Sequence, residues 1–332
     1  MPQFRQVLVT GGAGYVGSNL VPKLLSGGYA VTVLDLYLYG REVFPGFHGH
    51  RNLREIQGDI RDIGLVQRAL EGAEAVIHLA CISNDPSFEL DPALGKSINF
   101  DAFRPLLVAA KKAGVRRFIN ASSSSVYGVK KEADVTEELS FEPITDYGKY
   151  KAASEGVLAE ERAPGFVTAS VRPASIMGYA PRQRLDLTVN IFTAQAVALG
   201  KLTVHGGAQE RPNLHIDDMS DLYLLLLEAP AEKIDGQAFN VNAGNETVLG
   251  IARRVAAALG RDIPIEVTDT KDLRSYRTSG EKLRRVLGFA PRKTIEDAAR
   301  ELAQAMAQGL VPDALTNERY YNVRRMKSVN LV

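Results

Sequence analysis

Up to about residue 170 the chain alternates short unbroken apolar runs with segments whose apolar residues recur at helical spacing. Val7-Leu8-Val9 precedes a glycine-rich turn and a helical pattern from about Val16 to Leu25. Ala30-Val31-Thr32-Val33-Leu34 reads as a second strand, and Ala75-Val76-Ile77-His78-Leu79 and Arg117-Phe118-Ile119-Asn120-Ala121 read as later ones. Strands that are apolar without alternation are buried on both faces. Such strand–helix alternation predicts an α/β fold with a doubly wound parallel sheet, whose ligand lies at the carboxyl ends of the strands. Beyond Arg172 come loops with Gly and Pro, a helix near Leu187 to Leu199, the acidic-apolar Ile216 to Glu228 and a further helix from Leu249 to Leu259. The pattern divides the chain into a first domain, 1–172, to which a segment of about 212–243 returns, and a smaller mixed α/β region, 173–211 and 244–332, that caps it. No repeat, low-complexity tract or flexible linker separates them, so the two parts share an interface and a cleft.

Charge and composition exclude several classes of partner. With 40 Lys+Arg against 39 Asp+Glu, the formal charge of +1 gives no global field to recruit nucleic acid or an anionic membrane. A small anion could still meet a local basic cluster. The longest apolar stretches, such as Leu222 to Leu227, fall far short of the roughly 20 residues that span a bilayer. Cys81 is the only cysteine and no charged-then-apolar leader precedes the first strand, so a soluble, cytoplasmic protein is expected. The histidines, His205 and His215 among them, lack paired ligand spacing, and no metal is expected.

The run Thr10-Gly11-Gly12-Ala13-Gly14-Tyr15-Val16-Gly17 follows a strand and opens a helix. In that context Gly11 permits the turn, Gly14 lets a pyrophosphate approach the backbone and Gly17 allows close helix-to-strand packing. Asp35 ends the second strand roughly 20 residues on, where a carboxylate accepts the ribose hydroxyls and repels a 2′-phosphate. NAD is therefore expected rather than NADP. Asp59, after a third strand, either holds the adenine amino group or caps a loop.

Tyr147 and Lys151 lie four residues apart in a helical segment, on one face. A nearby ammonium and an oxidised nicotinamide would stabilise the phenolate, so that Tyr147 can take a hydroxyl proton as hydride leaves the same carbon. An amphipathic helix with a surface Tyr and Lys would show the same spacing. Upstream, however, Ser122-Ser123-Ser124-Ser125 follows the strand Phe118 to Ala121 and places hydroxyls at the carboxyl end of a central strand.

Taken in order, these motifs, with His78-Leu79-Ala80, Asn99, Val126-Tyr127-Gly128 and Arg211…His215-Ile216-Asp217-Asp218, resemble the extended short-chain dehydrogenase/reductases, the NAD-dependent nucleotide-sugar epimerases and dehydratases. The resemblance covers nearly the whole length. It implies a Rossmann domain with a substrate-binding C-terminal region. The cofactor contacts it implies are Gly11, Gly14, Tyr15, Val16, Asp35 and Asp59, then Ile60, Leu79, Ala80 and Asn99, together with Tyr147 and Lys151. Ser123 takes the place of the residue that shares the substrate hydroxyl with the catalytic tyrosine, leaving Tyr127 a structural role.

Within that family the 4,6-dehydratases follow this serine or threonine with Asp-Glu, whereas here Ser124 and Ser125 stand in those places, and the resemblance implies that they contact substrate. A hydroxyl that does not exchange its proton near neutral pH is a poor substitute for a carboxylate in β-elimination. The resemblance is therefore to the 4-epimerases, UDP-hexose or UDP-glucuronate enzymes. A C4 reductase or a 4,6-dehydratase is the alternative, and a non-catalytic NAD-binding regulator a more distant one. Arg211 and Arg274 match diphosphate-binding arginines, although Ser275 replaces the second arginine of the latter's motif. Tyr276 stands where some 4-epimerases gate an N-acetyl group. Arg184, or Arg182 beside it, matches a carboxylate-gripping position, while Ser175 replaces an expected asparagine. A homodimer is expected through apolar stripes on the helix before Gly114 and on the Tyr147 helix, stripes that core packing would explain equally well. Tyr320-Tyr321-Asn322-Val323-Arg324-Arg325 matches no catalytic motif and reads as packing or a partner contact.

Overall fold

The structure, a computed structural model, describes residues 3–132, 134–260, 262–270 and 275–331. Strands β1 (Gln6–Thr10), β2 (Ala30–Asp35), β3 (Leu53–Gln57), β4 (Ala75–His78), β5 (Arg117–Ala121) and β6 (Val167–Pro173) alternate with helices. After β7 (Ser175–Met177), β8 (Leu202–His205) and β9 (Glu210–His215), the chain returns to the main sheet as β10 (Gln237–Val241). The seven strands lie in the order β10-β6-β5-β4-β1-β2-β3 and all pair in parallel. Strand order reverses between β1 and β4, and a ligand crevice opens at such a switch point.

Both faces of the sheet are covered, which is why its central strands are buried and mostly apolar on both sides. Val7 and Val9 of β1 pack with Leu20 and Leu24 of helix Tyr15–Ser26 and with Leu222 and Leu226 of helix Ile216–Glu228. Between them, Leu8 faces the opposite layer, with Val66, Leu106 and Val157 from helices Ile63–Ala69, Phe103–Lys112 and Asp146–Glu160. The edge strand β3 breaks the pattern, because Arg54, Glu55 and Gln57 are exposed. The apolar stripe of Phe103–Lys112 is consumed by this same core, through Phe103, Leu106 and Leu107, while its outer Arg104 pairs with Glu160 and Glu161. The stripe thus has an occupant within its own chain and lends no weight to a two-fold interface.

The capping region holds two small sheets, one of β7, β9 and β11 (Gly244–Thr247) and one of β8 and β12 (Ile265–Thr268). Helices Thr188–Leu199, Val248–Ala258 and Ile295–Ala307 pack around Phe192, Ile251 and Ala298. The Tyr320–Arg325 stretch ends a 3-10 turn and begins the helix Asn322–Val329, which folds back onto its own chain. Among the described residues no helix is long and apolar enough to cross a membrane.

Close approach of the first helix to β1 depends on Gly17, since a Cβ there would lie 2.2 Å from the Gly12 carbonyl oxygen. Backbone cannot yield as a flexible side chain does. Gly17→Ala is expected to cost about 2 kcal/mol or more, seen as a lowered urea midpoint with an unchanged slope.

Candidate active site

The loop after β1 passes so near β4 that a side chain on Gly11 (φ +70°) would meet the Ala80 nitrogen at 2.5 Å. Gly14 differs: its nearest neighbour to a Cβ is the Gly11 oxygen at 3.1 Å. It begins the helix Tyr15–Ser26 without any side-chain cap. A helix opened this way leaves its first N–H groups for an anion. Asp35 is fixed beside it, one carboxylate oxygen accepting from Ala13 N (3.0 Å) and the other from Tyr37 N (2.7 Å). Burial pushes its carboxyl above the ordinary range despite these bonds. At Asp59 burial also works against the charge, yet hydrogen bonds from Arg61, the shortest at 2.7 Å, hold the carboxyl below its usual value.

On the other side of the crevice Thr10 Oγ1 lies 2.7 Å from His78 Nδ1. Burial drives the imidazole pKa down to about 3, with the Lys151 charge adding to the effect, so His78 is neutral. Leu79, Ala80 and Cys81 then line the cavity. Asn99 is buried next to Ile98, which lines the cavity. Its amide donates to the Ile82 carbonyl (2.9 Å) and accepts from the Ile82 N–H (2.8 Å), which fixes the loop after β4. Tyr15 and Val16 line the cavity, but the Tyr15 hydroxyl is engaged, donating to Gly178 O at 2.6 Å and accepting from Asn190 at 2.9 Å.

Ser123, Tyr147 and Lys151 come together at the carboxyl end of β5. Thr145 caps the helix Asp146–Glu160 and sets where Tyr147 enters the cavity. Lys151 is buried and donates to the Ala121 carbonyl at 2.6 Å, its ammonium 6.0 Å from the Tyr147 ring centre. Ser123 Oγ accepts from the Ser125 N–H (3.1 Å) and hydroxyl (2.9 Å), which leaves its own proton for the Tyr147 oxygen. Burial pushes the Tyr147 phenol far above its ordinary pKa and the neighbouring Cys81 adds to the rise, while the Ser123 hydrogen bond and the Arg184 charge lower it. A general base in such a place needs further positive charge, which an oxidised nicotinamide would bring.

Behind the serines lies a polar network that the sequence reading missed. Glu155 accepts from Ser122 Oγ (2.5 Å) and from Arg172 (2.7 Å). Arg172 in turn donates to Tyr127, whose hydroxyl donates to Asn240 (2.8 Å). The signal was present: Glu155 follows Lys151 by one helical turn, and Arg172 is the one charge in the strand Val167–Pro173. Asp85 was missed as well. This buried carboxylate lines the cavity and accepts from the Thr145 hydroxyl at 2.7 Å.

The cavity, about 510 Å³, runs from Asp35 and Asp59 past the serines to Arg211 and Tyr276. Ser124 and Ser125 line it, as do Ile60 and Ser175. Arg184 donates to Asp186 (2.9 Å) and Ser83 (3.3 Å), and Arg182 stacks 3.5 Å over the Tyr39 ring. Arg211 donates to the Glu210 carbonyl and stands 5.7 Å from the Tyr276 ring. Arg274 lies outside the described residues. Away from the cavity, His215, Asp217 and Glu301 cluster. There Nδ1 of His215 accepts from Asp217 N, while Lys23 and Lys293 already balance the two carboxylates.

Residues 7–242 match the model of the NAD dependent epimerase/dehydratase family, and the chain belongs to that family. It is 29% identical to a UDP-glucose 4-epimerase of Lactobacillus helveticus over 86% of this chain and 92% of that one. The UDP-glucose 4-epimerase of Thermotoga maritima, solved with UDP-glucose, superposes with a TM-score of 0.82 at 26% identity, covering 92% and 99% of the two chains. The dTDP-glucose 4,6-dehydratase DesIV of Streptomyces venezuelae, solved with NAD, gives the same score at 28% identity over 91% and 97%. NAD is the cofactor of this chain. The residues present fit it: an uncapped helix start at Gly14, a fixed carboxylate at Asp35, and N–H groups of Arg182 and Arg184 that lack a partner among the described residues.

The depressed His78 pKa has a sign that can be checked. Between about pH 3 and 6.5 the unfolded imidazole binds a proton that the folded one does not, so folding stability rises with pH across that window. From pH 6.5 to 5 the parent should lose about 2 kcal/mol that a His78→Gln variant keeps, measured by urea unfolding at both pH values.

Proposed function

We propose that this chain is an NAD-dependent nucleotide-sugar 4-epimerase, acting on a UDP-hexose or UDP-glucuronate through a transient 4-keto sugar. The observation that carries the reading is the assembly of Ser123, Tyr147 and Lys151 around one point while Ser124 and Ser125, rather than carboxylates, stand beside them in the cavity wall. Tyr147 takes the C4 hydroxyl proton as base and returns it as acid. Ser123 holds the substrate oxygen and the phenol oxygen in one hydrogen-bonded line, and Lys151, anchored on Ala121, stabilises the phenolate. Bound NAD⁺ supplies the hydride acceptor and, once reduced, the donor that completes the inversion. Asp85, the carboxylate beside the triad, already bonds the cap of the Tyr147 helix and is read as part of that support rather than as an elimination base.

Arg211 is read as a diphosphate contact, with Tyr276 bounding the sugar end on the side of plain hexoses. UDP-glucose and UDP-galactose are therefore the first substrates to try, and UDP-glucuronate the next. A cytoplasmic location and a homodimer go with the same reading, the latter open to sedimentation analysis.

Native enzyme incubated with each UDP-sugar and no added nicotinamide should give the C4 isomer by NMR, and denatured protein should release NAD⁺. Turnover only with added reduced nicotinamide would instead mark a reductase, and a 4-keto-6-deoxy product a dehydratase. Tyr147→Phe should keep its fold and NAD content yet lose about 100-fold or more in turnover. A rate near the parent's would overturn the assignment of the base.

A further inference from the structure

The Tyr320–Arg325 stretch lies along the rim of the dinucleotide crevice. Tyr320 O accepts from Leu185 N at 2.8 Å, and Arg325 Nε donates to the Leu38 carbonyl just beyond β2 at 2.6 Å. Met326 is buried, lines the cavity and belongs to the same apolar cluster as Ile60, Ile82 and Ile98. Asn322, 2% exposed, joins separate loops. Its backbone N–H donates to Asp186 (3.1 Å), its Nδ2 donates to Ser83 Oγ (3.0 Å), and its Oδ1 accepts from Arg182 Nη2 (2.5 Å).

The loop it secures carries two buried cations. Arg182 is 4% exposed, and its Nε and Nη1 have no partner among the described residues. The same holds for Nη2 of Arg184, whose other bonds go to Asp186 and Ser83. Two guanidinium groups with one carboxylate between them leave positive charge in a dry place, a costly arrangement without an anion to meet it. The loop's position says which anion. Arg182 N donates to Ser18 Oγ in the uncapped first helix, and its guanidinium covers Tyr39, downstream of Asp35. The cluster therefore stands between the helix start and the ribose carboxylate, where a dinucleotide carries its diphosphate.

We infer that the C-terminal segment is the outer wall of the NAD site: Asn322 is a positioning residue that holds Arg182 and Arg184 toward the cofactor diphosphate, and Met326 covers the adenosine side. The wall keeps the cofactor resident between hydride removal and hydride return, and in this it rests on the epimerase reading. Exchange of the dinucleotide then requires the Asn322–Val329 helix to lift.

The test compares the parent, Asn322→Ala and a chain ending at Asn317, with NAD released by denaturation and its dissociation followed on the native proteins. Each altered protein should lose NAD about tenfold faster or more. Turnover without added cofactor should fall, and rise again as NAD⁺ is supplied, a change in half-saturation rather than in maximal rate. Folded variants that retain NAD as the parent does would overturn the inference, as would turnover that no concentration of NAD⁺ restores. Should the variants fail to fold, trypsin decides on the unaltered chain. Cleavage after Arg324 and Arg325 should be about tenfold slower with NAD⁺ bound than after its removal, and equal rates would refute the wall. Dissociation is read on resting protein, so a failure to epimerise any sugar leaves this result intact.

Discussion

A buried ion pair, Glu155 with Arg172, ties the helix bearing Tyr147 and Lys151 to the carboxyl ends of the central strands. Two charges removed from water repay their desolvation only when every remaining lone pair and proton finds a partner. Here they do so through Ser122, Tyr127 and Asn240. The pair thus determines the path of the serine run, because Ser122 and Tyr127 stand at its two ends. Ser123 to Ser125 between them have little freedom left. The position of one hydroxyl relative to one phenol is inherited from an interaction one layer deeper, and the same interaction joins β6, at Arg172, to β10, at Asn240.

Electrostatics in the crevice follow a common scheme. Burial alone would leave both His78 and Tyr147 neutral, the first by depressing its pKa and the second by raising it. A neutral imidazole serves as a hydrogen-bonded strut between β1 and β4. A neutral phenol is a resting acid that becomes a base only when cationic partners gather around it. Lys151 and, when bound, an oxidised nicotinamide would supply that charge.

The parts of this fold legible in the sequence are those whose cause is local. Strands β1, β2, β4 and β5 show as short, mainly apolar runs without strict alternation because both faces of the sheet are covered. The glycine loop shows because close approach at Gly11 and Gly17 admits no side chain. Edge strand β3 shows only weakly, its outer residues being exposed. The same locality governs part of the site: Tyr147 and Lys151 are one helical turn apart, and Ser123, placed by resemblance, follows β5; the structure brings the three to one cavity. The buried bonds of Glu155, of Asp85 and of Arg182 with Asn322 did not show. Each bonds a partner on another element, 17 residues away for Glu155 and Arg172, 60 for Asp85 and Thr145, and 140 for Arg182 and Asn322. Asn99, placed near the cofactor by resemblance, has a second tie that the sequence did not show, a pair of hydrogen bonds with Ile82.

Synthesis runs from the amino terminus, and domains fold in that order. Every strand of the main sheet, the last of which ends at Val241, leaves the ribosome before Asn322 and Met326. On the inferred wall, the glycine loop and the strand ends that receive the dinucleotide are thus made before the segment that covers them. A nascent chain would meet the cellular dinucleotide pool with its binding site open.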